Sequence, residues 1–195
     1  MNSRITELLD EIKQREEELE ELIDNFEKDI LYTIEGSKIK FDKIVESAHR
    51  QLKVGLIQWF LDSEFRNIIS APFIYPMMIP FLMLDIMISI YQIICFSLYK
   101  MPLVKRSRYI VIDRQHLKYL NAIEKINCMY CGYVNGLISY TREIVARTEQ
   151  YWCPIKHARK VLDVHGRYKK FSDFGHSDDY QKHIIDMRKN LIDDD

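Results

Sequence analysis

The 32 residues from Ile68 to Tyr99 contain one charged side chain, Asp85. No other stretch restricts the folding of this chain so strongly. About 20 apolar residues carry a helix across the hydrocarbon core of a bilayer. The run is therefore long enough for one tilted span and too short for two spans with a turn. Pro72, Pro76 and Pro80 fall every four residues in its first half. Each removes a helix donor, which predicts a kinked or broken first half and a regular helix from Leu82 to Tyr99. Two membrane arrangements follow. A single tilted helix crosses the bilayer, or the chain enters, turns near Pro80 and returns as a re-entrant hairpin. The hairpin is favoured, because it moves no acidic segment across the membrane. A pair of buried helices in a soluble core is the third possibility. A carboxylate inside an apolar segment is costly and marks function, a pairing partner or an interfacial position. With a turn near Pro80, Asp85 simply sits beside that turn.

The net charge of −1 conceals a segregation along the chain. Residues 1–35 hold twelve acidic and four basic side chains, residues 100–171 hold fifteen basic and five acidic, and residues 172–195 hold seven acidic and three basic. The basic block follows the apolar run directly, so its natural partner is an anionic lipid surface. Nucleic acid is excluded as the partner, since no basic-aromatic motif or nucleic-acid-binding signature accompanies the charge. Lys100, Lys105, Arg106, Arg108, Arg114 and Lys118 flank one end of the run, against Arg50, Lys53 and Arg66 at the other. Basic residues near a membrane segment are retained in the cytoplasm, which places the C-terminal part there. No secretory leader is recognised, and thiols facing the cytoplasm stay reduced.

Before the apolar run, Ile5, Leu9, Ile12, Leu19, Ile23, Phe26 and Ile30 recur at alternating spacings of four and three, broken by Glu16. This predicts a coiled coil, either self-associating or pairing with another protein. A second helical seam runs through Phe41, Val45, Ala48, Leu52, Gly55 and Trp59, and the break at Gly36 and Ser37 predicts an antiparallel helical hairpin. Trp59 and Phe60 suit a headgroup boundary.

After it, Asp113 predicts the N-cap of a long helix over residues 114–150. Cys128, Cys131, Cys153 and His157 form a Cys-x2-Cys … Cys-x3-His arrangement with 21 residues between the second and third positions. Four soft or borderline ligands in two pairs predict a tetrahedral metal site, with zinc ahead of iron. Gly132 after the second cysteine allows the backbone to curl around an ion. The competing reading is structural thiols, since Glu124, Cys128, Cys131 and Asn135 share one helix face. Gly132 and Gly136, four apart, permit close approach of a neighbouring backbone. His165, His176 and His183 lie in polar sequence and read as solvated.

The residues Cys128, Cys131, Gly132 and Tyr133, with Cys153 and Pro154, resemble rubredoxin-type knuckles over about a dozen positions. The fourth cysteine is missing and His157 stands one residue further on, which turns the implied metal from iron toward zinc. Residues 109–158 are similar to a set of bacterial membrane proteins of unknown function. The likeness is carried by Asp113, Arg114, Tyr119, Leu120, Asn121, Ile123 to Lys125, the cysteine pair, Asn135, Gly136, Arg142, Glu143, and Arg147 to His157. It implies a bacterial inner-membrane setting and no particular activity.

The reading is thus a mainly α protein of four parts: an acidic coiled-coil or helical hairpin over 1–66, a membrane segment over 67–99, a basic cytoplasmic metal-binding module over 100–171 and a polar tail over 172–195. No nucleophile elbow, phosphate-binding loop, metalloprotease helix or kinase signature is present. The expected role is a membrane-attached interaction or scaffold protein with a structural zinc site. A redox protein using iron or a Cys128/Cys131 dithiol is the alternative. A metal-dependent hydrolase with Glu124 or Glu143 as base is disfavoured, because a closed four-ligand site leaves no open position for substrate.

Overall fold

The computed structural model describes residues 11, 12, 14, 15, 17–19, 21, 22, 32–35, 38–41, 43–55, 58, 59, 61 and 64–192. The fold is mainly helical, as the sequence predicts. The chain divides into two units, one formed by Met1–Val54 with His116–Asn121 and the other by Gly55–Gln115 with Ala122–Asp195.

In the first unit the described positions between 11 and 22 are helical, and the seam residues Ile12 and Leu19 are exposed. The remaining seam residues Ile5, Leu9, Ile23, Phe26 and Ile30 lie outside the described residues. The helical hairpin expected around Gly36 and Ser37 is replaced by a β-hairpin. Strand β1 (Tyr32–Glu35) pairs antiparallel with β2 (Lys38–Phe41), Tyr32 opposite Phe41 and Ile34 opposite Ile39. The sequences YTIE and KIKF contain β-branched residues and are joined by two residues that include glycine, which is hairpin chemistry rather than a helix break. The second seam is helical over α1 (Lys43–Gln51), and the described residues 58, 59 and 61 beyond it are helical as well. His49 on α1 is sandwiched edge-on between the rings of Phe41 and Tyr119, at 5.3 and 5.0 Å.

The second unit is built on two long helices. Helix α2 runs without a turn from Phe65 to Tyr99. There is no re-entrant hairpin at Pro80. The three prolines are absorbed by local changes of helix type. The chain is α-helical over Phe65–Ile74, tightens to a 3-10 turn over Tyr75–Met77, and resumes as α-helix at Met78. Pro76 opens the 3-10 turn and Pro80 sits in the first turn of the segment after it, where a missing N–H costs least. Their spacing of four also puts all three on one side of the helix, and all three are exposed. A π-helical turn over Gln92–Phe96 follows, and Lys100 in the left-handed region ends the helix.

Helix α3 (Ala122–Trp152) begins directly after the buried Asn121, later than the predicted start at 114. It lies parallel to α2, since contacts advance together along both: Tyr75 with Asn127, Asp85 with Tyr133, Gln92 with Tyr140. The connecting segment 100–115 runs back between them as a strap. Along it Pro102 meets Arg147, Val104 meets Gln92, Arg106 meets Asp85, and Tyr109 meets Gly136. Here the glycine pair does its work. A Cβ on Gly136 would stand 2.5 Å from the Tyr109 carbonyl oxygen and 2.8 Å from the Ile110 Cα, and one on Gly132 would stand 3.3 Å from the Val111 carbonyl oxygen. The core lies where α2, strap and α3 meet, and includes Phe96, Met101, Val104, Leu137, Tyr140 and Ile144. Helix α4 (Tyr180–Ile192) packs on the far end of α3 through Met187 and Leu191.

Candidate membrane-contact face

Helix α2 has two unlike sides. Met78, Phe81, Asp85, Ile88, Gln92, Phe96 and Tyr99 recur at helical spacing and turn toward the strap and α3. The opposite side carries Phe65, Ile69, Phe73, Ile79, Met83, Ile86, Met87, Ile90, Ile94 and Leu98, all exposed. Only 11% of the most apolar 18-residue window of α2 is buried. Ser97, on this open side, turns its hydroxyl onto the Ile93 carbonyl at 2.6 Å and so presents no free donor. A soluble protein rarely leaves so large an apolar surface uncovered. By length and composition α2 is sufficient to cross a membrane.

Polar groups on the covered side explain why this helix tolerates them. Asp85 accepts from Arg106 Nη2 at 2.7 Å, from the Tyr133 hydroxyl at 2.8 Å and from Ser89 at 3.4 Å. The Asp85 side chain retains 15% of its exposure and the Arg106 side chain 47%. A guanidinium open to its surroundings therefore sits about halfway along α2, beside the exposed Lys105 and Arg108. Gln92 is buried and bonded at both ends of its amide. Its oxygen accepts from the Val104 N–H at 2.8 Å and its nitrogen donates to the Tyr140 hydroxyl at 2.8 Å. Asp85 and Gln92 together stitch the strap to α2. Asp85 is a pairing position, one of the three alternatives its cost in an apolar run implied, and not a residue beside a turn at Pro80. Gln92 carries no charge, so a search of the run for ionisable groups passes over it.

A second polar cluster closes the other end of α3. Glu143 accepts from Arg147 at 2.9 Å and from Arg167 at 2.7 Å, while Arg147 also donates to the Pro102 carbonyl at 2.8 Å. Arg167 reaches Gln150 at 2.9 Å, and Gln150, fully buried, donates to the Met187 carbonyl at 2.9 Å. Burial first, and then the Glu143 carboxylate, raise the Tyr109 phenol above its ordinary range. His165, expected to be solvated, instead pairs with Glu149 at 2.9 Å. The Glu143–Arg147 pairing was legible as an i,i+4 pattern, but the Arg167 contact joins residues 24 apart and carries no local signal. With its carboxylate held by two guanidiniums, Glu143 is not placed as a catalytic base.

The predicted metal ligands do not meet within one chain. Cys128 to Gly132 lie inside α3, which is unbroken from Ala122 to Trp152. Cys153 follows its last residue, so a rise of 1.5 Å per residue separates Cys128 from Cys153 by about 37 Å. His157 lies four residues further on, its ring stacked on Tyr168 at 6.2 Å. Among the described residues no group of three or more His, Cys, Asp or Glu is placed to hold one metal ion. All four cysteines are free thiols, with Cys131 and Cys153 exposed. The expected Cys3His cluster is thus not assembled within one chain, because Cys128 and Cys131 lie near the start of α3 while Cys153 and His157 lie beyond its end.

No protein-family model, curated protein or solved structure matches this chain.

Proposed function

We propose that this is a membrane-attached interaction protein, held at the bilayer by the open apolar face of α2. The single observation that carries the reading is the exposure of that face along the whole helix, with hydrocarbon as the one solvent in which it is not a liability. At 1.5 Å per residue α2 is about 50 Å long, well beyond the ~30 Å hydrocarbon core. A perpendicular span would set the open Arg106 guanidinium near the middle of the bilayer, at a cost of several kcal/mol. A helix lying along one leaflet avoids this, with its apolar face in the acyl region and the strap, Lys105, Arg106 and Arg108 toward the headgroups. Both ends of the chain then share one side. The basic strap and the bacterial resemblance favour the cytoplasmic side of an inner membrane, where the acidic N-terminal helix is available to a protein partner.

Cell fractionation tests the attachment. The protein is expected in the membrane pellet after carbonate washing, and recovery in the soluble fraction without detergent contradicts the proposal. A reporter active only in the periplasm, fused after Asp195 or before Met1, is expected to stay silent at both ends.

A further inference from the structure

The separated ligand pairs on α3 have a geometric relation that goes beyond membrane attachment and does not rest on it. Successive residues on a helix are about 100° apart, which places Cys128, Cys131 and Cys153 within roughly 60° of one another around the helix axis. The three thiols thus lie on one side of α3, near its two ends, with His157 four residues beyond Cys153. Cys131, Cys153 and His157 are exposed. Each pair supplies only half of a tetrahedral zinc site, and a structural zinc ion requires four protein ligands.

A two-fold axis crossing α3 near Thr141 and Arg142 brings the halves together. This operation pairs position i with about 283 − i on a second copy running antiparallel, by simple symmetry. It sets Cys131 against Trp152 and Cys153, and Cys128 against the turn that leads to His157. The same operation sets Ile138 against Val145. These two apolar side chains stand on the same side of α3 and are 48% and 52% exposed. One axis therefore covers the apolar pair and completes both metal sites. Arg142 lies near that axis, where two like charges would meet. Each is paired within its own chain to the Asp163 carboxylate at 3.3 Å, which limits the repulsion.

The geometry points to a homodimer with antiparallel α3 helices sharing two zinc ions, each held by Cys128 and Cys131 of one copy and Cys153 and His157 of the other. His157 is prepared for this task. Its backbone N–H donates to the Tyr168 hydroxyl at 2.6 Å and its ring lies nearly parallel to the same tyrosine at 6.2 Å, which holds the segment that carries the imidazole.

Complementation between two full-length variants tests the inference in detergent. Wild-type protein is expected to be dimeric with about one zinc per chain. The double variants C128S/C131S and C153S/H157A should each lose zinc at least tenfold. Co-expressed with different tags and purified through both, they retain one intact site per mixed dimer and should recover half the wild-type zinc per chain. Zinc in a monomeric wild type, wild type without zinc, or no recovery in the mixture overturns the proposal. A second measurement is independent of the variants. A short bis-maleimide added to zinc-stripped wild-type protein should join Cys131 to Cys153 between chains, and the absence of this linked dimer counts equally against the shared site.

Discussion

Helices α2 and α3 run side by side for most of their lengths and are covered very differently. Helix α3 has polar residues spread over its surface, and its buried apolar positions, Leu137, Tyr140 and Ile144 among them, are packed into the core, while Ile126, Ile138, Val145 and Trp152 stay exposed as scattered positions. The buried Gln150 is answered from elsewhere in the same unit, by the Met187 carbonyl and by Arg167. Helix α2 is covered on one side only. Its covered side is chemically mixed, with Asp85 and Gln92 among aromatic and aliphatic residues, whereas its open side is almost wholly apolar. That inversion of the usual inside–outside rule is the physical signature of a lipid-facing helix. Polar specificity sits where protein meets protein, and apolar bulk sits where lipid is expected.

The comparison is broken most severely by charging the open side. Replacing Ile86 and Ile90 with Asp adds two carboxylates to that face, at about 3 kcal/mol each in a membrane environment. The expected outcome is a shift of at least tenfold from pellet to soluble fraction with helical content retained, read by fractionation and circular dichroism. A charge at the closed end of α3 acts on the fold instead. Glu143→Ala leaves Arg147 and Arg167 sharing no carboxylate in a mostly buried site, and should lower stability by about 3 kcal/mol without releasing the protein from membranes. Gly136→Ala tests the strap between the helices. Its new methyl meets backbone at 2.5 Å, so the strap must move, with an expected loss of about 1–3 kcal/mol in denaturant unfolding. The smallest effect belongs to the exposed Arg50–Glu46 pair on α1. Arg50→Ala should change stability by no more than about 0.5 kcal/mol, because an i,i+4 pair open to water contributes little.

The apolar run and the long helix after it were legible because both announce themselves by composition over many consecutive residues. Asp85 was legible as an anomaly, although its partners Arg106 and Tyr133 lie 21 and 48 residues away and leave no local trace. The prolines misled. Their spacing of four suggested a break, whereas the same spacing gathers them on the open face, where a 3-10 turn absorbs them without reversing the chain. The segment around Gly36 and Ser37 misled differently. Val45 and Ala48 do lie on helix α1, but Phe41, read as part of the same seam, is claimed by strand pairing between β1 and β2. The four candidate metal ligands were chosen by type and spacing. Sequence spacing does not show that 21 intervening residues form a rigid rod rather than a loop, and that decides whether the pairs meet within one chain.

Depth within the bilayer separates a helix lying along one leaflet from one that spans it. Single tryptophans placed at Ile69, Met83 and Leu98, in a chain with Trp59 and Trp152 replaced by Phe, report depth through quenching by lipids brominated at successive acyl positions. A helix lying along one leaflet predicts strong quenching at all three positions and the same shallow depth for each. Maximal depth at Met83, with Ile69 and Leu98 near opposite faces of the bilayer, would contradict the account.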